Sequence, residues 1–447
     1  MSVTQEWLGR KEQRPDGSIA EIPLKWAVLA PNVESQLAKD ARSILPSGSK
    51  VVVGHDKATQ SLAEPVIRAL HDQGIATLGY EVPCAEGEEQ PVATDAQVEL
   101  LEGVMEKEDI ALGIAVGSGT VTDIIKAASF GRSIHWLSYG TAASMNGYTS
   151  AIAALYVGGL KSTVPVRAAL GVYADPEVVA KAPLELQLAG FGDLCSKPFA
   201  GADAAIAAIL SGQEIWDLPT AMVDSVFSRV LESAAALGSG NPAATEELMD
   251  ALWVSGLSMT VAGNSAPASG GEHLWSHRLD MARHDQGLPP QSFHGTQVGV
   301  ACGLVRPLFG AAAELDSGAV RMKIASPCTE PDPEDEAFTR WIQERHPDLS
   351  ESSRIKVEAE ARLKYERRAR LERREALVTH WPRVRLEVQK AYEHAQRIDQ
   401  GLKDSHAARL PEDIGVSTEE SDRILSVCRD IRNRHTILDL ADDLLSA

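Results

Sequence analysis

Ile110-Ala111-Leu112-Gly113-Ile114-Ala115-Val116-Gly117-Ser118-Gly119-Thr120-Val121-Thr122-Asp123 is the stretch that decides the fold. Its first seven residues form an apolar run short enough for a buried strand. The helical pattern that follows runs from Thr122 to Phe130. Between them, Gly117 and Gly119 let backbone N–H groups approach a ligand with no Cβ in the way. A helix start adds unpaired donors and a positive dipole end, which together favour a pyrophosphate. The turn is shorter than the GxGxxG pattern. It equally fits a tight strand-to-helix connection with Thr120 or Thr122 as the N-cap.

The flanking sequence repeats the alternation. Val51-Val52-Val53 reads as a strand ending at Gly54-His55-Asp56, and Ser61 to Gln73 has helical spacing with Ala63, Val66, Ile67 and Leu70 on one face. Ile75 to Tyr80 is a strand, Gln97 to Glu106 a helix, and Ile134 to Leu137 a further strand. Such alternation predicts right-handed βαβ units and a parallel sheet covered on both faces. The segment 138–150 then reads as a loop of small hydroxylated residues at the same carboxyl edge as the glycine turn, where open α/β sheets bind nucleotides. Asp56 is placed to bond a ribose hydroxyl or to cap the helix after it.

From about Ala182 the strands stop, and helical patterns follow at 199–211, 219–238, 243–263 and 296–309. The expected domains are 1–180, α/β, and 181–447, helical. Residues 351–374 mix Arg, Lys and Glu densely, which predicts a solvated helix laced with i,i+4 ion pairs, with a partner-binding helix as the minority reading.

With 43 basic and 63 acidic residues the net charge is −20, so no general attraction for nucleic acid or an anionic membrane is expected. A phosphorylated substrate then needs local cations. The five cysteines, Cys84, Cys195, Cys302, Cys328 and Cys428, are widely spaced with no CxxC, which argues against a disulfide framework and for a reducing cytoplasm. Met1 to Ser18 has no apolar leader core, and no run of about twenty apolar residues predicts a membrane span.

Histidines cluster in Gly270-Gly271-Glu272-His273-Leu274-Trp275-Ser276-His277, then His284, then Phe293-His294-Gly295. His273 and His277 share a helical face, and His294 follows a Pro-Pro break. Asp193, in Gly190-Phe191-Gly192-Asp193, is the candidate carboxylate partner, or else a plain helix cap. Two imidazoles and one carboxylate suit a divalent ion with a position left open. The same ligand types serve non-haem iron oxygenases, whose sites sit in a β-barrel context that this region lacks. Lys197, four residues after Asp193, is placed to meet an anionic substrate or to lie on the surface.

Taken together, GSGTVTD at 117–123, TAASMNGYTS at 141–150, GFGD at 190–193, SGGEHLWSH at 269–277 and FHG at 293–295 resemble the sn-glycerol-1-phosphate dehydrogenase family, within the iron-containing alcohol dehydrogenase and dehydroquinate synthase superfamily. Leu410 to Gly415 and Arg432 to Leu438 fit as well. The resemblance implies a Rossmann-like N-terminal domain, an all-helical C-terminal domain and an active site in the cleft between them. It implies NAD or NADP held at Asp56, Gly117, Ser118, Gly119, Thr120, Asp123, Thr141, Ser144 and Ser150. It also implies one divalent metal (Zn2+, Ni2+ or Fe2+) on Asp193, His273 and His294, and a substrate contact at His277. The family pattern has Asp where this chain has Asn146, and that Asp contacts substrate. Asn keeps the size but loses the charge and gains a donor.

The expectation is a cytoplasmic homo-oligomer, a dimer first, that reduces dihydroxyacetone phosphate or a related hydroxy-carbonyl substrate. A cyclase of the dehydroquinate synthase kind is the alternative, and a non-catalytic binding protein is the remaining one.

Overall fold

A computed structural model describes residues 2–84, 90–158, 160–327 and 330–445 of the chain. Six strands form one parallel sheet: β1 (Trp26–Leu29), β2 (Lys50–His55), β3 (Ala76–Glu81), β4 (Ile110–Gly117), β5 (His135–Gly140) and β6 (Gly171–Ala174). Their order is β1-β6-β5-β4-β2-β3, and every neighbouring pair is parallel. β4 is buried almost end to end, as a strand covered on both faces must be. Helix α4 (Gly119–Gly131) packs on it, α3 (Asp95–Lys107) packs against α4, and α1 (Glu34–Ile44) packs against α2 (Gln60–Asp72). Leu37, Val66, Leu70, Val51, Val53, Ile114 and Val116 share one aliphatic core.

Strand order sets the position of a ligand edge. From β2 the chain turns through α2 toward β3, and from β4 it turns through α4 toward β5 in the opposite direction. The carboxyl ends of β2 and β4 therefore flank the topological switch point, where α/β sheets hold nucleotides.

Several elements depart from the sequence reading. β5 runs on to Gly140, so the loop expected from Ser138 begins at Thr141. Backbone pairing with β4, through to Gly117 opposite Gly140, extends the strand into small polar residues. The four-residue strands β1 and β6, and the hairpin 152–157 with 160–165, escaped the reading because such short segments carry little periodicity.

The described residues divide into two compact units, 1–194 with 221–265, and 195–220 with 266–447. Residues 221–265 were expected in a C-terminal domain but belong with the first unit. Their main helix, Pro242–Ala262, is tied to the chain's beginning. Asp250 accepts from the Ser2 and Thr4 hydroxyls at 2.5 and 2.6 Å, and Arg14 donates to the Val261 carbonyl at 3.0 Å.

The second unit is helical. Helix Arg367–Asp404 packs against Lys197–Leu210 and His294–Ala313. The charged run 351–374 breaks at Tyr365, and Glu366 caps the helix that follows. Part of the run is a solvated ladder, with Arg368 on Glu372 at 2.8 Å. The rest is interior, with Lys364 on Asp439 at 2.8 Å and Arg370 on Glu330 at 2.6 Å. Cys84 and Cys428 carry free thiols, and Cys328 lies outside the described residues. No single helix among the described residues is long and apolar enough to cross a membrane.

Candidate functional site

At the switch point, α4 begins at Gly119, earlier than the sequence suggests. The N-cap is Ser118, whose Oγ accepts from the Gly119 N–H at 2.6 Å; neither Thr120 nor Thr122 fills that role. Gly117 therefore closes β4, and the N–H groups of the first helical turn stand at the sheet's carboxyl edge. At the end of β2, Asp56 folds onto the turn before α2, whose N-cap is Thr59. Its Oδ1 accepts from the Thr59 N–H and hydroxyl, both at 2.8 Å. The same hydroxyl lies 3.0 Å from the Val116 carbonyl, so its one hydrogen is shared between the two acceptors and brings the two strand ends together.

The segment 141–150 lies beside this turn, with the Thr141 N–H donating to the Gly117 carbonyl at 3.3 Å. It is clasped on several sides. Tyr148 Oη donates to the Ala142 carbonyl at 2.7 Å, and Thr149 to the Trp253 carbonyl at 2.6 Å. Burial raises the Tyr148 phenol well above its ordinary pKa, so it stays a neutral donor. Gly190, on helix Leu184–Cys195, has no room for a side chain: a Cβ there would stand 2.0 Å from the Ala143 carbonyl oxygen. At Gly256 a Cβ would stand 2.1 Å from the Asn146 oxygen. Asn146 Nδ2 donates to Ser255 Oγ at 3.3 Å.

Lys126 is the residue of this edge that the sequence reading missed. It is fully buried on α4, pairs with Asp123 at 2.7 Å and donates to the Gly147 carbonyl at 3.0 Å. The i,i+3 spacing of Asp123 and Lys126 was the available signal. Asp123, expected at a dinucleotide, also accepts from the Ala154 N–H at 3.3 Å. Ser144 and Ser150 lie in the same segment, and Ser150 Oγ donates to the Ile152 carbonyl at 3.1 Å.

The histidines converge on two helices, Gly271–Asp285 and His294–Ala313. Ring centroids of His273 and His294 are 5.2 Å apart, and His277 stacks on His294 at 5.4 Å. Asp193 stands in the last turn of helix Leu184–Cys195, next to the point where the chain passes from the first unit into the second. One ligand atom from each of Asp193, His273 and His294 lies within 4.8 Å of the others. Nitrogen and carboxylate donors at that spacing fit a borderline divalent ion. His284, two turns beyond His277, is outside this group.

The segments around His273 have buried polar supports. Glu272, 0% exposed, holds His273 Nδ1 at 2.8 Å through Oε1, which also accepts from the Gly270 N–H at 2.9 Å. Asp203 accepts from the Gly271 and Ile437 N–H groups at 2.8 and 2.7 Å. Burial, reinforced by the nearby Glu272 carboxylate, pushes the Asp203 carboxyl well above the usual range. Lys197 is buried at the start of the next helix, donating to Ser196 Oγ at 3.2 Å and to the Ala268 carbonyl at 3.0 Å. The bond to Ala268 ties Lys197 to the segment in front of His273.

Residues 28–183 match the family described as iron-containing alcohol dehydrogenase. A glycerol-1-phosphate dehydrogenase [NAD(P)+] of Bacillus velezensis is 36% identical over 202 residues, which are 45% of this chain and 51% of the relative. The chain thus spans about half the length of that relative. The Pyrococcus furiosus protein of the same name is 30% identical over 292 residues, 65% of this chain and 80% of the relative. Among solved structures, an archaeal halo-thermophilic alcohol dehydrogenase from a Red Sea brine pool aligns with a TM-score of 0.59 over 98% of this chain and 99% of its own, at 14% identity. That likeness bears on the fold, a Rossmann-like domain followed by a helical one. The chain belongs to the glycerol-1-phosphate dehydrogenase family.

Proposed function

We propose that this protein is a metal-dependent, NAD(P)-linked dehydrogenase that interconverts a phosphorylated ketone of the dihydroxyacetone phosphate type and sn-glycerol 1-phosphate. The observation that carries the proposal is the grouping of Asp193, His273 and His294. In this reading those three residues hold the ion. When bound, the metal supplies Lewis-acid polarisation of a carbonyl oxygen, and the dinucleotide supplies or accepts the hydride.

The chain's own residues do the rest. The first-turn N–H groups of α4, behind Gly117, Ser118 and Gly119, receive a pyrophosphate. Thr141, Ser144 and Ser150 line the neighbouring segment. His277, stacked on His294, holds the proton that the reduced oxygen takes up. The location is the cytoplasm, and the working form is a homo-oligomer.

Asn146 favours a second choice of substrate within the same chemistry. A site built for one hydrogen-bond polarity discriminates strongly against the other. Ser255 can donate as well as accept, so a carboxylate at 146 keeps its local partner. Asn146→Asp is therefore expected to fold normally and to change kcat/KM for glycerol 1-phosphate by about tenfold or more, read from reduced-nicotinamide absorbance with the metal-loaded enzyme and both cofactors. A large rise assigns the native substrate to another hydroxy-carbonyl pair. A large fall keeps glycerol 1-phosphate as the substrate. Absence of any nicotinamide redox chemistry across the substrate screen, in wild type and variant alike, overturns the dehydrogenase reading.

A further inference from the structure

We infer that Ser276 and Gln297 form a hydrogen-bond relay that fixes the tautomer of His294 and presents its Nε2 lone pair to the metal. The inference rests on the reading of Asp193, His273 and His294 as ligands. Four polar contacts, all within the helical unit, set every direction in the chain.

Gln297 Nε2 lies 2.9 Å from Asp280 Oδ1 and 3.1 Å from the Ser292 carbonyl oxygen. A carboxylate and a carbonyl both accept, so the amide nitrogen must face them, and the amide oxygen must face the other way. That oxygen is 2.7 Å from Ser276 Oγ. An amide oxygen only accepts, so the Ser276 hydrogen is committed to it. Ser276 Oγ is then left with lone pairs alone toward His294 Nδ1, 3.0 Å away. The contact exists as a hydrogen bond only if Nδ1 carries the proton. A neutral imidazole protonated at Nδ1 has its free lone pair on Nε2.

Sequence spacing builds the relay. Ser276 sits three residues after His273 on one helix, and Gln297 three residues after His294 on the other, so each faces the same side as a ligand. Ser276 and Gln297 are both 0% exposed, where water cannot replace a lost partner. His273 reaches the same state more directly, because Glu272 Oε1 can only accept from its Nδ1–H. The two imidazoles are thus preset alike, one by a carboxylate in direct contact and one through two neutral side chains. In the relay, Ser276 and Gln297 stand between the Asp280 carboxylate and His294, so that charge is not in contact with the imidazole. Outer partners of this kind typically change metal affinity 10–100-fold.

The test uses the full-length protein, stripped of metal and reloaded with Zn2+ or Ni2+ under chelator competition. Ser276→Ala and Gln297→Met are expected to weaken metal binding about 10–100-fold, with a fall in thermal stability from the buried partners left behind, so affinity is read on preparations shown to be folded by circular dichroism. Nitrogen-15 spectra of histidine-labelled, metal-free protein should show a single His294 tautomer in the wild type and a mixture in Ser276→Ala. Ser276→Thr, which keeps the hydroxyl, should restore both readings. Wild-type affinity together with a single tautomer in Ser276→Ala overturns the relay. A wild-type protein that binds neither ion overturns the metal-site reading itself, which separates the two failures.

Discussion

His273→Ala is expected to strip the protein of its metal and to take dehydrogenase activity to background, with the fold retained. In the proposed site the imidazole is one of three grouped donors, so its loss leaves one nitrogen and one carboxylate, too few to hold a divalent ion against buffer. The affinity loss should exceed the roughly 10–100-fold that outer-partner substitutions cost. Glu272 loses the imidazole as a partner but keeps the Gly270 N–H, which limits the structural damage. Metal content per chain, thermal unfolding and nicotinamide turnover, measured on the same preparation, check the expectation. Full activity in a metal-free His273→Ala protein would end the case for a metal-dependent reaction.

Gly190→Ala should be the most damaging single methyl in the α/β unit. Its Cβ would lie 2.0 Å from the Ala143 carbonyl oxygen, 2.8 Å from that carbonyl carbon and 2.9 Å from Leu252 Cδ1. Two of those atoms are backbone, so relief requires the segment 141–150 to shift or the helix to slide. Overpacking of this kind costs about 1–3 kcal/mol and occasionally more, and the upper end applies where the obstacle is main chain. Denaturant unfolding should show that loss, and NAD(P) affinity should fall with it. Gly103→Ala supplies the control. That exposed helical glycine has open space around its Cβ position, so alanine should stabilise by about 1 kcal/mol. Equal stabilities for the two variants would show that the close approach at Gly190 is not a constraint.

What the chain made legible followed from periodicity and side-chain type. The run 110–116 announced β4 because a strand buried on both faces must be apolar throughout. The glycines at 117 and 119 marked the turn, and the histidine spacing marked the two helices whose imidazoles group with Asp193. The four-residue strands β1 and β6 stayed hidden because their place comes from pairing with β5 and each other, which no local pattern encodes. The membership of residues 221–265 was illegible for a similar reason: it depends on Ser2 and Thr4 meeting Asp250, nearly 250 positions away. Polar supports such as Glu272, Ser276 and Gln297 stood beside the quoted motifs. Their roles needed directions of donation, which sequence does not carry.

The clasp on residues 141–150 has a thermodynamic consequence. Lys126 holds the segment at Gly147, Trp253 receives Thr149, and the glycines at 190 and 256 bring two helices against its main chain. Folding of the α/β unit thus already removes the conformational entropy of that segment. A ligand arriving there orders nothing, so contact energy appears as affinity without an ordering penalty. Association should then be a single step whose rate rises linearly with ligand concentration and does not saturate at a loop-closure rate.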